Sequence, residues 1–396
     1  MKFKYPLATF SWGQEEIEAM QRVIASGMFT MGANVRTFER AFARYVGSRH
    51  CVMVNSGSSA NLLMVAALFY SSNPRLRLQR GDEVIVPAVS WSTTYSPLFQ
   101  YGLKIKFVDI DLFTLNYDLE QLAQAIGDRT RAIVAVNLLG NPNDFSRIRQ
   151  LMGGRDIVLL EDNCESMGAR YEGKSTGTFG AMGSFSSFFS HHISTMEGGL
   201  IVTDDEELYQ ILLSLRAHGW TRDLPKQNLV CGEKSDDPFE ESFRFVLPGY
   251  NVRPLELEGA LGVEQLKRLP AMVDERRKNG LLLQTSLDGH PDIIVQREIG
   301  ESSWFGFSLV IRPGSRMTRQ ELVAGLNESG FECRPIVAGN FTKNEVMKYF
   351  DAEVVGELPN ADHIDRNGLF IGNHHYPIPE AITDLDRLLH SLARSR

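Results

Sequence analysis

Cysteine is scarce and scattered: Cys51, Cys164, Cys231 and Cys333 are the four in 396 residues. They stand too far apart to signal a disulfide framework or a clustered metal or iron–sulfur motif. No uninterrupted apolar stretch approaches the roughly 20 residues that a membrane span requires. The opening Met1-Lys-Phe-Lys-Tyr-Pro lacks the apolar core of a signal peptide, so a cytoplasmic protein is expected. Basic runs are missing too. The formal charge of −8 is spread along the chain, which argues against a nucleic-acid groove or an anionic membrane surface. Internal repeats and low-complexity tracts are likewise absent. What is present is length and 43% apolar residues, enough to fill a large domain and a smaller one.

Apolar periodicity predicts helices over 15–26 and 35–46, a strand at 51–54, and a helix reaching about 70 after the turn Asn55-Ser-Gly57-Ser58-Ser59. Strands at 83–87, 105–108, 132–137 and 157–161 follow, with helices at 92–101 and 119–126 between them. Such alternation implies an α/β fold with a mostly parallel sheet, whose active residues gather at strand ends. A helix over 205–218 comes next, and the polar stretch 226–243 reads as a loop over the site. One helix is expected to end at 266 and another to run over 272–287. Strand 303–311, helix 319–328 and the segment 331–336 then form a compact α+β unit. The expected division is a large domain over 1–275, entered by N-terminal helices, and a small one over 276–396.

Several residues carry chemistry at predicted element ends. Helix-start N–H groups lack partners, so Gly57, Ser58 and Ser59 are either a phosphate cradle or an ordinary N-cap. Trp91 can stack on a flat ring or simply pack. Asp162 suits a pyridine nitrogen, whose protonated form it would favour, or caps a helix. Arg216, His218 and Arg222 cluster where a helix ends; they suit a diphosphate or sugar hydroxyls, and equally the helix dipole. The stretch 183–199 is the most informative. Alternating Phe185 and Phe188 read as a strand leaving a buried sheet and ending at His191 and His192, before Gly198 and Gly199 turn the chain into a second strand.

Gly177-Thr178-Phe179-Gly180, Ser184-Phe185-Ser186-Ser187-Phe188 and Met196-Glu197-Gly198-Gly199 resemble the active-site segment of the DegT/DnrJ/EryC1/StrS sugar aminotransferase family. These are pyridoxal-phosphate (PLP) enzymes of fold type I acting on nucleotide-linked keto sugars. The resemblance implies a large domain with a mostly parallel mixed sheet flanked by helices, and a smaller C-terminal α+β domain. It implies Gly57, Ser58 and Ser186 at the cofactor phosphate, Trp91 on the pyridine ring and Asp162 at its nitrogen. Glu165 replaces the family's usual amide or imidazole and is counted with the cofactor-binding set. Gly249-Tyr250-Asn251-Val252-Arg253 resembles a segment that crosses a dimer interface, so Asn251 is expected at the neighbouring phosphate and the protein as a homodimer. His218, Arg222, Arg253 and Arg334 are the expected substrate contacts, with Arg253 or Arg334 clamping the carboxylate of L-glutamate, the implied amino donor.

The sequence departs from the family at the lysine, whose place is taken by His191. Lysine links covalently to PLP and then shuttles a proton. Imidazole cannot form that link, yet it moves protons near neutral pH. Counting back from Glu197-Gly198-Gly199 selects His191, leaving His192 to pack or support. The family's histidine branch implies removal of the C3 hydroxyl from a GDP-linked 4-keto-6-deoxy sugar, on the way to colitose. Pyridoxamine phosphate (PMP) would be formed from PLP and glutamate, and His191 would be the base. Two rivals are an aminotransferase that borrows another lysine, such as Lys174, and a non-catalytic regulator that binds a nucleotide sugar or PLP.

Overall fold

The computed structural model describes residues 3–394. Strands buried on both faces read as mainly apolar runs, and Glu83–Pro87 and Val158–Asp162 are buried at every position, with acids only at their ends. The large sheet takes seven strands from residues 50–203: His50–Val54 (β1), Glu83–Pro87 (β2), Lys104–Val108 (β3), Thr130–Val136 (β4), Val158–Asp162 (β5), Met182–Ser186 (β6) and Gly199–Thr203 (β7). Their order is β1-β7-β6-β5-β4-β2-β3, extended by Ala352–Val354. Only β7 opposes its neighbours; the other pairings are parallel. The carboxyl ends of β1, β2, β4, β5 and β6 therefore share one edge, where β7 begins.

The expected strands and helices of this region form, with three differences. Helix Phe145–Met152 lies between β4 and β5 where none was expected; Asp144 caps it by accepting the Arg147 N–H, and Phe145 and Ile148 are its buried side. The strand predicted through Phe188 stops at Ser186, because Ser187 fastens a loop instead: its N–H donates to Gly198 O and its carbonyl accepts from Thr195 N. The two helices expected around 266–272 are one, Glu256–Ser286, running through Pro270. Leu269 and Met272, buried on either side of the proline, hold the helical path against its local preference.

The expected boundary at 275/276 falls inside this helix. Its far end, with Leu283, joins the second core under a four-stranded antiparallel sheet of Ile293–Val295, Gly306–Ile311, Gly368–Gly372 and Cys333–Arg334. Helices Arg319–Glu328 and Pro379–Arg394 cover that sheet through Leu322, Leu326, Leu385 and Leu389. Chain crosses the division both ways. Tyr5 bridges to Phe331, and Ala352–Val354 pairs with β3.

Alternation along β5 turns Glu161 away from Asp162. Its buried carboxylate accepts the N–H groups of Gly177, Phe179 and Gly180 at 2.6, 2.5 and 2.7 Å, and burial pushes its pKa up to about 7. This fixes the turn that lies against β6. A Cβ on Gly183 would stand 2.4 Å from both Cα and O of Gly177. Gly183→Ala is accordingly expected to cost about 1–3 kcal/mol, read as a lowered denaturation midpoint; an unchanged midpoint would contradict this packing.

Candidate active site

A cavity of about 530 Å³ opens at the shared strand edge, a size suited to a cofactor-sized ligand. After β1, Ser56 caps helix Gly57–Tyr70 by accepting the Ser59 N–H. The first-turn N–H groups of Gly57 and Ser58 belong to the set a helix leaves unpaired, positive in sign. A Cβ on Gly57 would lie 2.8 Å from Ser186 Cβ and from Cys164 Sγ, so glycine lets the helix start reach the end of β6. Gly57, Ser58 and Ser186 thus face one corner of the cavity.

Asp162, the last residue of β5, is held firmly. Its Oδ2 accepts from Asn61 Nδ2 and Thr94 Oγ1, both at 2.8 Å, and its Oδ1 from the Cys164 N–H at 3.1 Å. Trp91 ends the turn after β2, lines the same cavity, and is 58% exposed, so its ring is open for stacking. Arg334 enters from the small sheet, its Nη2 2.8 Å from Glu332 Oε1.

His191 lines the cavity as well, its ring edge-on to Phe305 at 5.0 Å and to Phe188 at 5.9 Å. Its buried Nδ1 has no hydrogen-bond partner. Burial, with the positive field of Arg276 added, pulls its pKa down to about 4. The imidazole is therefore neutral and proton-accepting throughout the physiological range. Glu165 moves the other way: burial, and to a lesser degree the negative charge of Asp162, push its pKa up to about 7 although it accepts the Leu139 N–H at 2.9 Å. A carboxyl group near half-protonation and a neutral imidazole share one cavity. His192 is buried, with Nε2 3.1 Å from Ser303 O.

The remaining candidates lie outside this cavity within one chain. Arg222 and Arg253 stand over the Trp220 ring at 4.2 and 5.8 Å, His218 packs on the same ring, and Asn251 Oδ1 accepts from Arg253 Nε at 3.0 Å. Arg216 does not join them. It turns inward to pair with Glu39 at 2.5 Å and to donate to Met53 O at 2.8 Å. The stretch 226–243, expected to cover the site, contributes no cavity residue; it folds back as a ribbon and a short helix, Pro238–Glu241, beside Trp220. Lys174 is also elsewhere, donating to Thr178 O and lying over Phe179. Among the described residues, none lining the cavity is a lysine. Sequence reading missed Asn61, Thr94 and Phe305. The first two are polar residues inside predicted helices, whose inward facing was the available signal; Phe305 carries no local signal.

Residues 11–385 match the DegT/DnrJ/EryC1/StrS aminotransferase family. The chain belongs to that family. Over 386 residues it is 60% identical to the GDP-4-keto-6-deoxy-D-mannose 3-dehydratase of Yersinia pseudotuberculosis, covering 97% of this chain and 98% of the relative. A solved structure of the E. coli GDP-4-keto-6-deoxy-D-mannose-3-dehydratase with bound hydrated PLP is 59% identical and superposes with a TM-score of 0.97, covering 98% of this chain and all of that one. Another structure of a GDP-4-keto-6-deoxymannose-3-dehydratase, holding a trapped PLP-glutamate geminal diamine, is 60% identical with a TM-score of 0.96 and the same coverage. The fold is thus that of the family's PLP-dependent aminotransferases.

The cavity suits this family's cofactor in chemistry as well as size. It offers a positive helix start with two serines for a phosphate, an anchored carboxylate for a ring nitrogen and an open indole face. The electrostatics yield an expected outcome. In cofactor-free protein with labelled histidine rings, NMR should find His191 neutral from pH 8 to about pH 5, charging only as pH falls toward 4. A midpoint near the ordinary 6.5 would contradict the site as described.

Proposed function

We propose that the chain removes the C3 hydroxyl of GDP-4-keto-6-deoxy-D-mannose to give GDP-4-keto-3,6-dideoxy-D-mannose, using PLP converted to PMP by L-glutamate. Two relatives at 60% identity over nearly the whole chain support it. The observation that carries it is His191 in a cavity without a lysine. When bound, the cofactor supplies the amine and the electron-accepting ring that a hydroxyl loss beside a ketone requires.

In this reading Gly57, Ser58 and Ser186 bind the cofactor phosphate, Trp91 stacks on its ring and Asp162 holds its ring nitrogen protonated. Asn61 and Thr94 keep that carboxylate in place. His191, neutral at working pH, accepts a proton at an imidazole nitrogen and returns one to the departing hydroxyl. Glu165, poised near pH 7, holds a second proton in the cavity. Arg334 is the glutamate clamp within the chain. His218, Arg222, Asn251 and Arg253 serve a neighbouring subunit's site in a homodimer. Their position outside their own cavity supports this, as does the exposure of Trp91 and Phe189, each 58%. No helix among the described residues is long and apolar enough to cross a membrane, and we place the reaction in the cytoplasm. The large unit, 1–275, would carry the cofactor, and the small one, 276–396, the Arg334 wall.

A borrowed lysine is disfavoured by the placement of Lys174. A purely binding role is disfavoured by a base-form imidazole sharing the cavity with a carboxyl group able to hold a proton. His191→Asn should lower sugar turnover by at least about 100-fold while PLP affinity stays within about threefold, read by ammonia release and cofactor absorbance. Retained turnover would remove His191 as the obligatory base.

A further inference from the structure

Arg276 is an oddity of the long helix. Its side chain is buried, and its recorded hydrogen bonds all go to backbone carbonyls: Nη1 lies 3.0 Å from Phe305 O, 2.8 Å from Asn373 O and 3.5 Å from Trp304 O. Its Nε is buried without a partner. Burial alone pulls its pKa down to about 10, with no carboxylate to oppose the loss. A buried guanidinium without an anion is costly to keep, and its surroundings indicate what it does.

Two of the three carbonyls it grips, those of Trp304 and Phe305, belong to the turn that faces His191; the third is that of Asn373, just past the strand Gly368–Gly372. Trp304 has φ 49°, a left-handed backbone that a side-chain-bearing residue adopts only when held. Asn373 Nδ2 donates to Trp304 O and to Arg276 O at 2.9 and 3.0 Å, closing the clasp. From the other side, Ser303 N and Phe305 N donate to Gly140 O and Leu139 O at 2.9 and 3.0 Å. The result is a fixed Phe305 ring, edge-on to His191 and tilted on His192 at 5.8 Å.

We propose that Arg276, which lies outside the cavity, is a positioning residue for His191: its guanidinium sets the Trp304–Phe305 turn, and with it the Phe305 ring, against the imidazole. The cation held there also opposes protonation of that ring. The proposal rests on His191 being the base of the dehydration. The other charged and titratable groups around the imidazole are His192 beside it, Arg277 acting on His192, and Asp162, Cys164, Glu165, Glu197 and Arg334 on the cavity wall. Burial is the larger cause of the neutral imidazole and the Arg276 charge adds to it; that added part is what a loss of charge at Arg276 removes.

The test is the ring titration of His191 in cofactor-free protein, for the native chain, Arg276→Met and Arg276→Lys. Arg276→Met should raise the midpoint by about 0.5–1 in pH, and the acid limb of kcat/KM should move with it. Arg276→Lys keeps the charge and should hold the midpoint within about 0.3 of the native value, with kcat lowered because an ammonium lacks the planar fork. An unmoved midpoint in folded Arg276→Met overturns the proposal. So does a midpoint near 6.5 in Arg276→Lys, which decides the matter if the methionine variant does not fold. Because the titration uses neither cofactor nor sugar, it stands apart from whether dehydration is the reaction.

Discussion

The parallel hydrogen-bond ladder joining β4, β5 and β6 is the constraint on which the site depends. It delivers Asp162 and Ser186 to one edge, and it fixes the distance over which helix Gly57–Tyr70 must approach. Gly57 then closes the corner by tolerating contact with Ser186. The lone reversed strand, β7, starts at that edge and forces the intervening chain, with His191 and Glu197, to loop back over it. A sheet of this kind needs apolar strands and tight turns, and it leaves the chemistry to the residues just past each strand.

Within that frame the chemistry follows from desolvation. The same burial that keeps the imidazole of His191 uncharged raises the pKa of the Glu165 carboxyl group to about 7, near half-protonation at neutral pH. An acceptor and a donor of protons thus coexist in one cavity without either being a covalent anchor. A lysine would supply both an anchor and a proton carrier; histidine retains only the second. In the proposed reaction elimination needs the second alone, so His191, with Glu165 as the site's other departure from the family, would redirect its use.

The positions were legible because they are local, while the roles expected of them came from the family resemblance. Asp162 and Ser186 sit at the ends of apolar runs, Gly57 and Ser58 at a helix start, and His191 at a fixed distance from Glu197-Gly198-Gly199. Elements with strong periods, such as Gln14–Ser26 and Arg319–Glu328, formed close to where they were expected. What escaped was set by distant contacts. Pro270 marks a break in any local reading, yet buried flanks carry the helix across it. Phe188 looks like strand until the bonds of Ser187 to Gly198 and Thr195 bend the chain away. Phe305 packs on His191 from more than 100 residues along the chain, and Arg216 finds Glu39 across 177.

The most direct test of the account is the mass of the sugar nucleotide formed from GDP-4-keto-6-deoxy-D-mannose when the purified protein is supplied with PLP and L-glutamate. The account predicts a keto sugar that has lost the C3 oxygen and carries no nitrogen on the sugar. A product with an amino group in place of the C4 ketone would contradict it, because His191 would then have failed to divert the family's chemistry from amino transfer to elimination.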